Sequence, residues 1–159
     1  MDGSPHLLLV GDGPVVEALR ALCGPLGWTT TVSAVQVPVG PEHDAVVVTS
    51  HHDEVDGPVI RDALAAGTAY VGAMGSRATQ GRRREWLLDH GVTQDAIATL
   101  HAPIGLDIGA QAPGEIALAI LAEVVAVRRD ATTAVASVSD RGGAIHPGLA
   151  PGEAYCPGG

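Results

Sequence analysis

The chain of 159 residues has no lysine, no phenylalanine and only two cysteines. Without lysine it can hold neither a Schiff-base lysine nor the lysine of a P-loop. Its nine basic residues, all arginine, stand against 18 acidic ones. The resulting net charge of −9 all but excludes general nucleic-acid binding, which needs a surplus of cationic groups. Cys23 and Cys156 form no Cys-x-x-Cys pair, so neither a disulfide framework nor a zinc knuckle is indicated.

Long apolar runs are also missing. The run at residues 7–10 is too short for the core of a signal peptide, and no stretch reaches the roughly 18 apolar residues that span a bilayer. Glycine and proline make up about a fifth of the chain, below the roughly 25–30% of low-complexity sequences. We therefore expect one acidic, soluble domain in the cytoplasm, without membrane association.

Short apolar runs alternate with helical patterns up to about Arg129, and the periodicity then fades. Strands are predicted at 6–10, 28–35, 44–49 and 69–73, a fifth around 99–101, and helices at 14–24, 58–66, 76–90, 94–98 and 113–129. This alternation predicts an α/β, Rossmann-like, three-layer fold with a mainly parallel sheet of about five strands and helices on both faces. The predicted domain covers 1–129, and 130–159 is predicted to be an irregular Gly/Pro-rich tail.

The first glycine turn follows a predicted strand and opens a helix. Gly11 and Gly13 stand where a Rossmann fold exposes backbone amides to a pyrophosphate. The third glycine of that fingerprint is replaced by Val16, and the second strand ends without an acidic residue near Ser33. The turn is therefore a candidate ligand site, with a tight turn that binds nothing as the alternative.

A second glycine turn lies at residues 72–77. Ser76, which follows Gly75, can cap the next helix. The first amides of that helix and the Arg77 guanidinium would then face the same space. This predicts an oxyanion or phosphate site, and the alternative is a capped helix with a solvated arginine. The run 82–84 is three arginines pointing in different directions, so at most one or two face a ligand, and we expect a mainly solvated face.

Two further segments hold candidate residues. His51 and Asp53 follow the third predicted strand and could bind a metal only if His101 or Asp107 completed the set, so a polar loop is favoured over a metal site. The glycines and proline of residues 101–109 suggest a pocket wall around Gly105. Asp107 could orient a heterocycle there, and the alternative is that its carboxylate accepts hydrogen bonds from nearby backbone amides. No arrangement of Ser, His, Asp or Cys indicates a catalytic residue.

Four motifs carry a resemblance to a known family. Residues 48–53 (VTSHHD), 70–77 (YVGAMGSR), 101–109 (HAPIGLDIG) and 113–117 (PGEIA) resemble the Rossmann domain of the xanthine dehydrogenase accessory factors, the XdhC/CoxI family. The likeness runs from about Leu7 to Arg129, and the segment from His101 to Ala117 is its most specific part.

The resemblance implies a maturation factor that binds the molybdenum cofactor, a molybdopterin, and helps its sulfuration or its insertion into a xanthine or CO dehydrogenase-type apoenzyme. Such a factor is a cofactor-binding chaperone rather than a catalyst. Its cofactor site would place the phosphate at Gly75, Ser76 and Arg77 and the pterin ring at Asp107. The other predicted cofactor-binding residues are Gly11, Gly13, His51, Asp53 and Gly105.

The chain departs from the family in lacking an amino-terminal, cysteine-bearing domain before Leu7. We therefore expect the Rossmann half alone, partnered by the molybdoenzyme apoprotein and by a separate cysteine-bearing or sulfur-transfer protein, and we expect a homodimer. Two other functions stay open: an NAD(P)-binding Rossmann oxidoreductase, and a scaffold domain without a ligand.

Overall fold

In the computed structural model, residues 3–131 are described, and nine helices and strands lie among them. They are β1 (His6–Val10), α1 (Pro14–Cys23), β2 (Thr29–Ser33), β3 (Ala45–Val48), α2 (Asp53–Ala65), β4 (Tyr70–Ala73), α3 (Arg77–Asp89), α4 (Gln94–Ala98) and α5 (Pro113–Arg128). Most of the predicted tail, with Cys156, lies outside the described residues.

The four strands form one parallel sheet in the order β2-β1-β3-β4. The chain leaves β1 for β2 on one side and returns to β3 on the other, so the direction of winding reverses between β1 and β3. In open parallel sheets ligands bind at such a reversal, outside the carboxyl ends of the strands. All four residues of β3 are buried, as its unbroken apolar sequence requires for a strand covered on both faces.

The alternating side chains of β1 divide the core into two layers. Leu7 and Leu9 pack against α1 and α5 on one face of the sheet. Leu8 and Val10 pack against α2, α3 and α4 on the other. The predicted α/β, Rossmann-like architecture with helices on both faces is thereby confirmed. Between residues 3 and 131, no helix is both long and apolar enough to cross a membrane.

The expected fifth strand is reduced to a single bridge. His101 pairs in parallel with Gly72, and its backbone amide donates to the Val71 carbonyl at 2.9 Å. The two residues before it follow α4 and cannot join a strand, since the amides of Thr99 and Leu100 bond to carbonyls inside that helix. Pro103 has no amide hydrogen to continue the ladder, so the sheet has four strands rather than about five.

Helix α2 begins earlier than predicted. The sequence predicts a start at Pro58, but the helix runs from Asp53 and contains Pro58 in its second turn. A proline there costs only one backbone hydrogen bond, to Glu54 near the helix start. The early start makes Asp53 a helical residue and brings Asp56 into the interior. Strand β2 is also shorter than expected, at Thr29–Ser33 instead of 28–35.

Candidate functional site at the carboxyl edge of the sheet

The loops that follow β1 and β3 touch at the carboxyl edge. The amides of Thr49 and Ser50 both donate to the Val10 carbonyl, at 2.8 and 3.3 Å. Gly11 has φ of +136°, and a Cβ placed there would lie 2.9 Å from the Ser50 nitrogen and against the Thr49 side chain. Only glycine fits this close approach.

Gly13 opens α1 without a side-chain cap, at φ of +94° and facing open space. The position of the missing third glycine is filled by Val16, which is buried in the core beneath α1. Strand β2 ends at Ser33, whose hydroxyl bonds back to Val35 in its own turn. The Gly11 amide is not free for a ligand, since it donates to the Ser33 carbonyl at 2.8 Å, and the turn lacks the acidic group that holds a ribose.

A buried ion pair ties the loops after β3 and β4 together. Arg83 donates to the Asp56 carboxylate at 2.8 Å, and both side chains are almost fully buried. The same guanidinium donates to the carbonyls of Ser50 and Met74. The Ser50 hydroxyl donates to the second oxygen of Asp56. The prediction of a mainly solvated arginine run is therefore wrong for Arg83, which crosses from α3 to both loops.

The start of α3 exposes hydrogen-bond donors. Ser76 caps the helix, its hydroxyl accepting from the Thr79 amide at 3.2 Å. Gly75 has φ of +142°, and a Cβ there would press on the Thr79 side chain. Arg77 is exposed, and within residues 3–131 its guanidinium forms no ion pair. The first-turn amides and Arg77 can together receive an anionic group.

His51 and Asp53 lie at the same edge but do not form a pair. Both are exposed, and Asp53 lies 3.9 Å from the Arg82 Nε across the gap between α2 and α3. His101, a possible further metal ligand, lies instead against Glu123 and the Tyr70 ring. The described part of the chain contains no group of three or more metal-ligating side chains.

A cleft of about 250 Å³ lies beside α3, one turn beyond Ser76. Ile97, Leu100 and Ala102 form its apolar part, and Gln80, Gly81 and Arg84 its polar part. Ala102 also begins the loop of residues 102–112, which leads to Asp107. Asp107 is exposed, and in the described structure its carboxylate has no hydrogen bond, so the alternative in which backbone amides satisfy it is not observed.

A second polar cluster fixes the start of this loop. One oxygen of Glu123 accepts from the Tyr70 hydroxyl at 2.6 Å and from the Gly105 amide at 3.1 Å. His101 Nδ1 lies 3.3 Å from the same oxygen, and the His101 ring stacks on Tyr70. Burial raises the pKa of Glu123, but these hydrogen bonds outweigh it and hold the pKa below its usual value. Burial and the neighbouring carboxylate raise the pKa of Tyr70 well beyond its ordinary range.

A comparison of the sequence with protein-family profiles identifies the family of this chain. The profile described as "XdhC Rossmann domain" matches residues 7–124, about three quarters of the chain. The chain belongs to the XdhC Rossmann domain family.

Two curated relatives match over most of this XdhC domain. The uncharacterized protein YqeB of Escherichia coli strain K12 is 30% identical, over 80% of this chain and 28% of its own length. A probable xanthine dehydrogenase subunit of Bacillus subtilis strain 168 is 33% identical, over 81% of this chain and 44% of its own length. The chain thus spans less than half of the length of either relative.

Two further matches are more limited. The molybdenum cofactor insertion chaperone PaoD of Escherichia coli strain K12 is 33% identical, over 53% of this chain and 26% of its own length. The crystal structure of a xanthine dehydrogenase from Bacillus halodurans aligns with a TM-score of 0.65 and 22% identity. It covers 81% of this chain and 46% of that one, and at this identity it supports the fold alone.

Of the sequence-predicted residues, those of the two glycine turns and of the loop after β3 lie at the carboxyl edge of the sheet. Gly105 instead packs against Ala119 of α5 and donates its amide to Glu123. Gly11 lies against Ser50, and Ser50 connects through Arg83 to Gly75. Asp107 follows on the loop beyond the bridge at His101. Sequence reasoning missed Asp56, Arg83 and Glu123. For Glu123 a signal existed, since it is the one carboxylate inside the apolar stretch from Ile116 to Val127.

Proposed function

We propose that this chain is the cofactor-binding domain of a molybdoenzyme maturation factor. It binds the molybdenum cofactor at the carboxyl edge of its sheet and supports the sulfuration of that cofactor or its insertion into a xanthine or CO dehydrogenase-type apoenzyme. Membership of the XdhC Rossmann domain family supports this function, as does similarity to a protein named for molybdenum cofactor insertion.

The observation that carries the proposal is the donor set at the start of α3. Arg77 is exposed there without an acidic partner in the described structure, in a chain whose net charge is −9. The Ser76 hydroxyl bonds only to the amide and hydroxyl of Thr79, so the earlier amides, on the exposed residues Arg77 and Ala78, remain for a ligand. A phosphate ester fits this set of donors.

The remaining parts of the cofactor have candidate partners along the same edge. The cofactor supplies an anionic phosphate, a flat pterin ring and an oxidation-sensitive dithiolene that carries the metal. The cleft beside α3 offers an apolar wall of Ile97 and Leu100 to a flat ring, and Asp107 offers a carboxylate that accepts ring N–H groups. Gly11, Gly13 and His51 border the edge on its other side.

The described thiol is not suited to carry sulfur. Cys23, the last residue of α1, is buried, and burial raises the pKa of its thiol to about 11. A thiol with that pKa is protonated at neutral pH and reacts slowly, because the thiolate is the nucleophile. Cys23 is therefore not a candidate sulfur carrier, and the proposed function includes a separate sulfur-transfer partner beside the molybdoenzyme apoprotein.

Binding of the molybdenum cofactor to variants of the full chain tests the placement. The cofactor is released from a molybdoenzyme under anaerobic conditions, and its binding is followed by pterin fluorescence. Arg77→Ala and Asp107→Ala should each weaken the affinity about tenfold, as expected for the loss of one charged hydrogen bond. Arg20→Ala and Asp89→Ala change the same charges on exposed positions away from the edge and should leave the affinity unaltered.

Unchanged affinity in both Arg77→Ala and Asp107→Ala would rule out this placement. A loss in Arg20→Ala as large as that in Arg77→Ala would show that net charge, and not position, sets the affinity. Net charge alone would make both aspartate variants bind the anionic cofactor more tightly.

A further inference from the structure

Helix α5 has apolar side chains on its outer side as well as its inner side. The inner side packs onto the sheet through Ala117, Ile120 and Val124, all fully buried. On the outer side, Leu118 is 54% and Val125 42% exposed. An amphipathic surface helix carries polar residues there, and a helix that is apolar all round is normally covered on all sides.

The open surface of α5 is a single stripe. Glu115, Leu118, Ala122, Val125 and Arg129 follow one another at spacings of three and four residues, so they lie along one line of the helix. We call these five residues the outer stripe. From Glu115 to the end of α5, every exposed residue belongs to it, and Arg129 follows directly. The stripe is about 21 Å long at the rise of an α-helix.

The two ends of the outer stripe carry opposite charges. Glu115 is held at the start of α5 by the amides of Gln111 and Ala112, both at 2.9 Å, which lower the pKa of its carboxyl and keep it ionised. Arg129 is exposed at the other end and has no ion pair within residues 3–131. Its neighbour Arg128 is occupied by the Trp28 ring and the Gly3 carbonyl.

We propose that the outer stripe is the contact between two copies of this chain, packed antiparallel about a two-fold axis near Ala122. An antiparallel copy presents acid against base at both ends and apolar residues in the middle, so the stripe is complementary to itself. Leu118 then lies near Val125 of the partner subunit, and Glu115 near Arg129 of the partner subunit. The small Ala122 side chain lets the two helices approach closely.

The size of the surface predicts a weak dimer. A stripe of five residues is smaller than the roughly 800 Å² per partner of a standard interface. Leu22, in the last turn of α1, and Leu26, in the turn after it, are 36% and 48% exposed. Helix α1 packs beside α5 on the same face of the sheet, so these two side chains can widen the contact. We expect a dissociation constant in the micromolar range. This inference does not depend on cofactor binding and specifies a surface for the homodimer predicted from sequence.

Sedimentation equilibrium of the full chain over a range of concentrations tests the dimer. The wild type should pass from one to two chain masses as concentration rises. Leu118→Arg and Val125→Glu each place a charge in the centre of the contact and should raise the dissociation constant at least about tenfold. Leu88→Glu is the matched control, because Leu88 is 38% exposed on α3, on the opposite face of the sheet.

Mixing the two charged variants separates this surface from any other. In the mixed dimer the arginine introduced at position 118 would oppose the glutamate introduced at position 125, so the mixture should associate more tightly than either variant alone; circular dichroism checks that both variants are folded. A wild type that stays monomeric, a dimer that the stripe variants do not weaken, or a mixture without rescue would each overturn the proposal. A stripe that serves a different protein or a further domain predicts the first of these results.

Discussion

The buried ion pair between Asp56 and Arg83 makes the sharpest prediction about this fold. Asp56→Ala removes the carboxylate and leaves the Arg83 guanidinium buried at the junction of α2, α3 and two loops. The chain contains its own control. Asp53 and Arg82 join the same two helices at 3.9 Å, but their side chains are 58% and 59% exposed.

Asp56→Ala should lower the free energy of unfolding several-fold more than Asp53→Ala. Breaking a buried pair strands an uncompensated charge and lowers the free energy of unfolding by about 3–5 kcal/mol. Asp56→Ala also strands the Ser50 hydroxyl, which donates to that carboxylate. The exposed pair is screened by water, so Asp53→Ala should cost less than about 1 kcal/mol, including its favourable place at the start of α2. Domains of this size have about 5–15 kcal/mol in total, so Asp56→Ala is expected to remain folded but marginal.

Urea denaturation followed by circular dichroism measures both variants. Arg83→Met and the double variant complete a thermodynamic cycle, in which the double variant should be more stable than the sum of the single losses predicts, because no lone charge remains. Asp56→Asn keeps the shape of the side chain and replaces Asp56→Ala in the cycle if Asp56→Ala does not fold. Equal losses of stability in Asp56→Ala and Asp53→Ala would refute the reasoning.

Three further predictions concern single residues. Hydrogen bonds hold the folded pKa of Glu123 below the usual value of 4.5, so Glu123 adds stability above that pH, and this is lost as pH falls through the lower, folded pKa. Glu123→Gln should flatten the dependence of stability on pH below 4.5, and a slope like the wild type would contradict this. Gly11→Ala should lower the melting temperature more than Gly13→Ala, because both have positive φ but only Gly11 lacks room for a Cβ. Iodoacetamide at pH 8 should leave Cys23 unlabelled in the native protein and label it in urea, as read from the peptide mass.

Local sequence was sufficient for the layers of this fold. The runs at β1, β3 and β4 are apolar without alternation, which is the pattern of parallel strands covered on both faces. The glycine turns after β1 and β4 marked the carboxyl edge, and Ser76 caps α3 as its position predicted. These features depend on neighbours within a few residues, and the sequence displays them directly.

The parts that sequence reasoning missed depend on contacts between distant segments. Arg83 and Asp56 are 27 positions apart, and nothing around either residue shows which arginine of the run turns inward. Glu123 meets Tyr70 across 53 positions, although its isolation in an apolar helix was a visible sign. The expected fifth strand is reduced to the bridge at His101 because the amides of Thr99 and Leu100 bond back to carbonyls of α4, in turns that propensity alone does not locate.

The central claim is that this XdhC domain binds the molybdenum cofactor, and direct titration tests it most simply. The wild-type chain is titrated anaerobically with cofactor released from a molybdoenzyme, and in parallel with NAD and NADP, while binding is followed by calorimetry. The account predicts saturable binding of the molybdopterin with one site per chain and no comparable binding of either dinucleotide. Binding of a dinucleotide alone, or of none of the three, would contradict it.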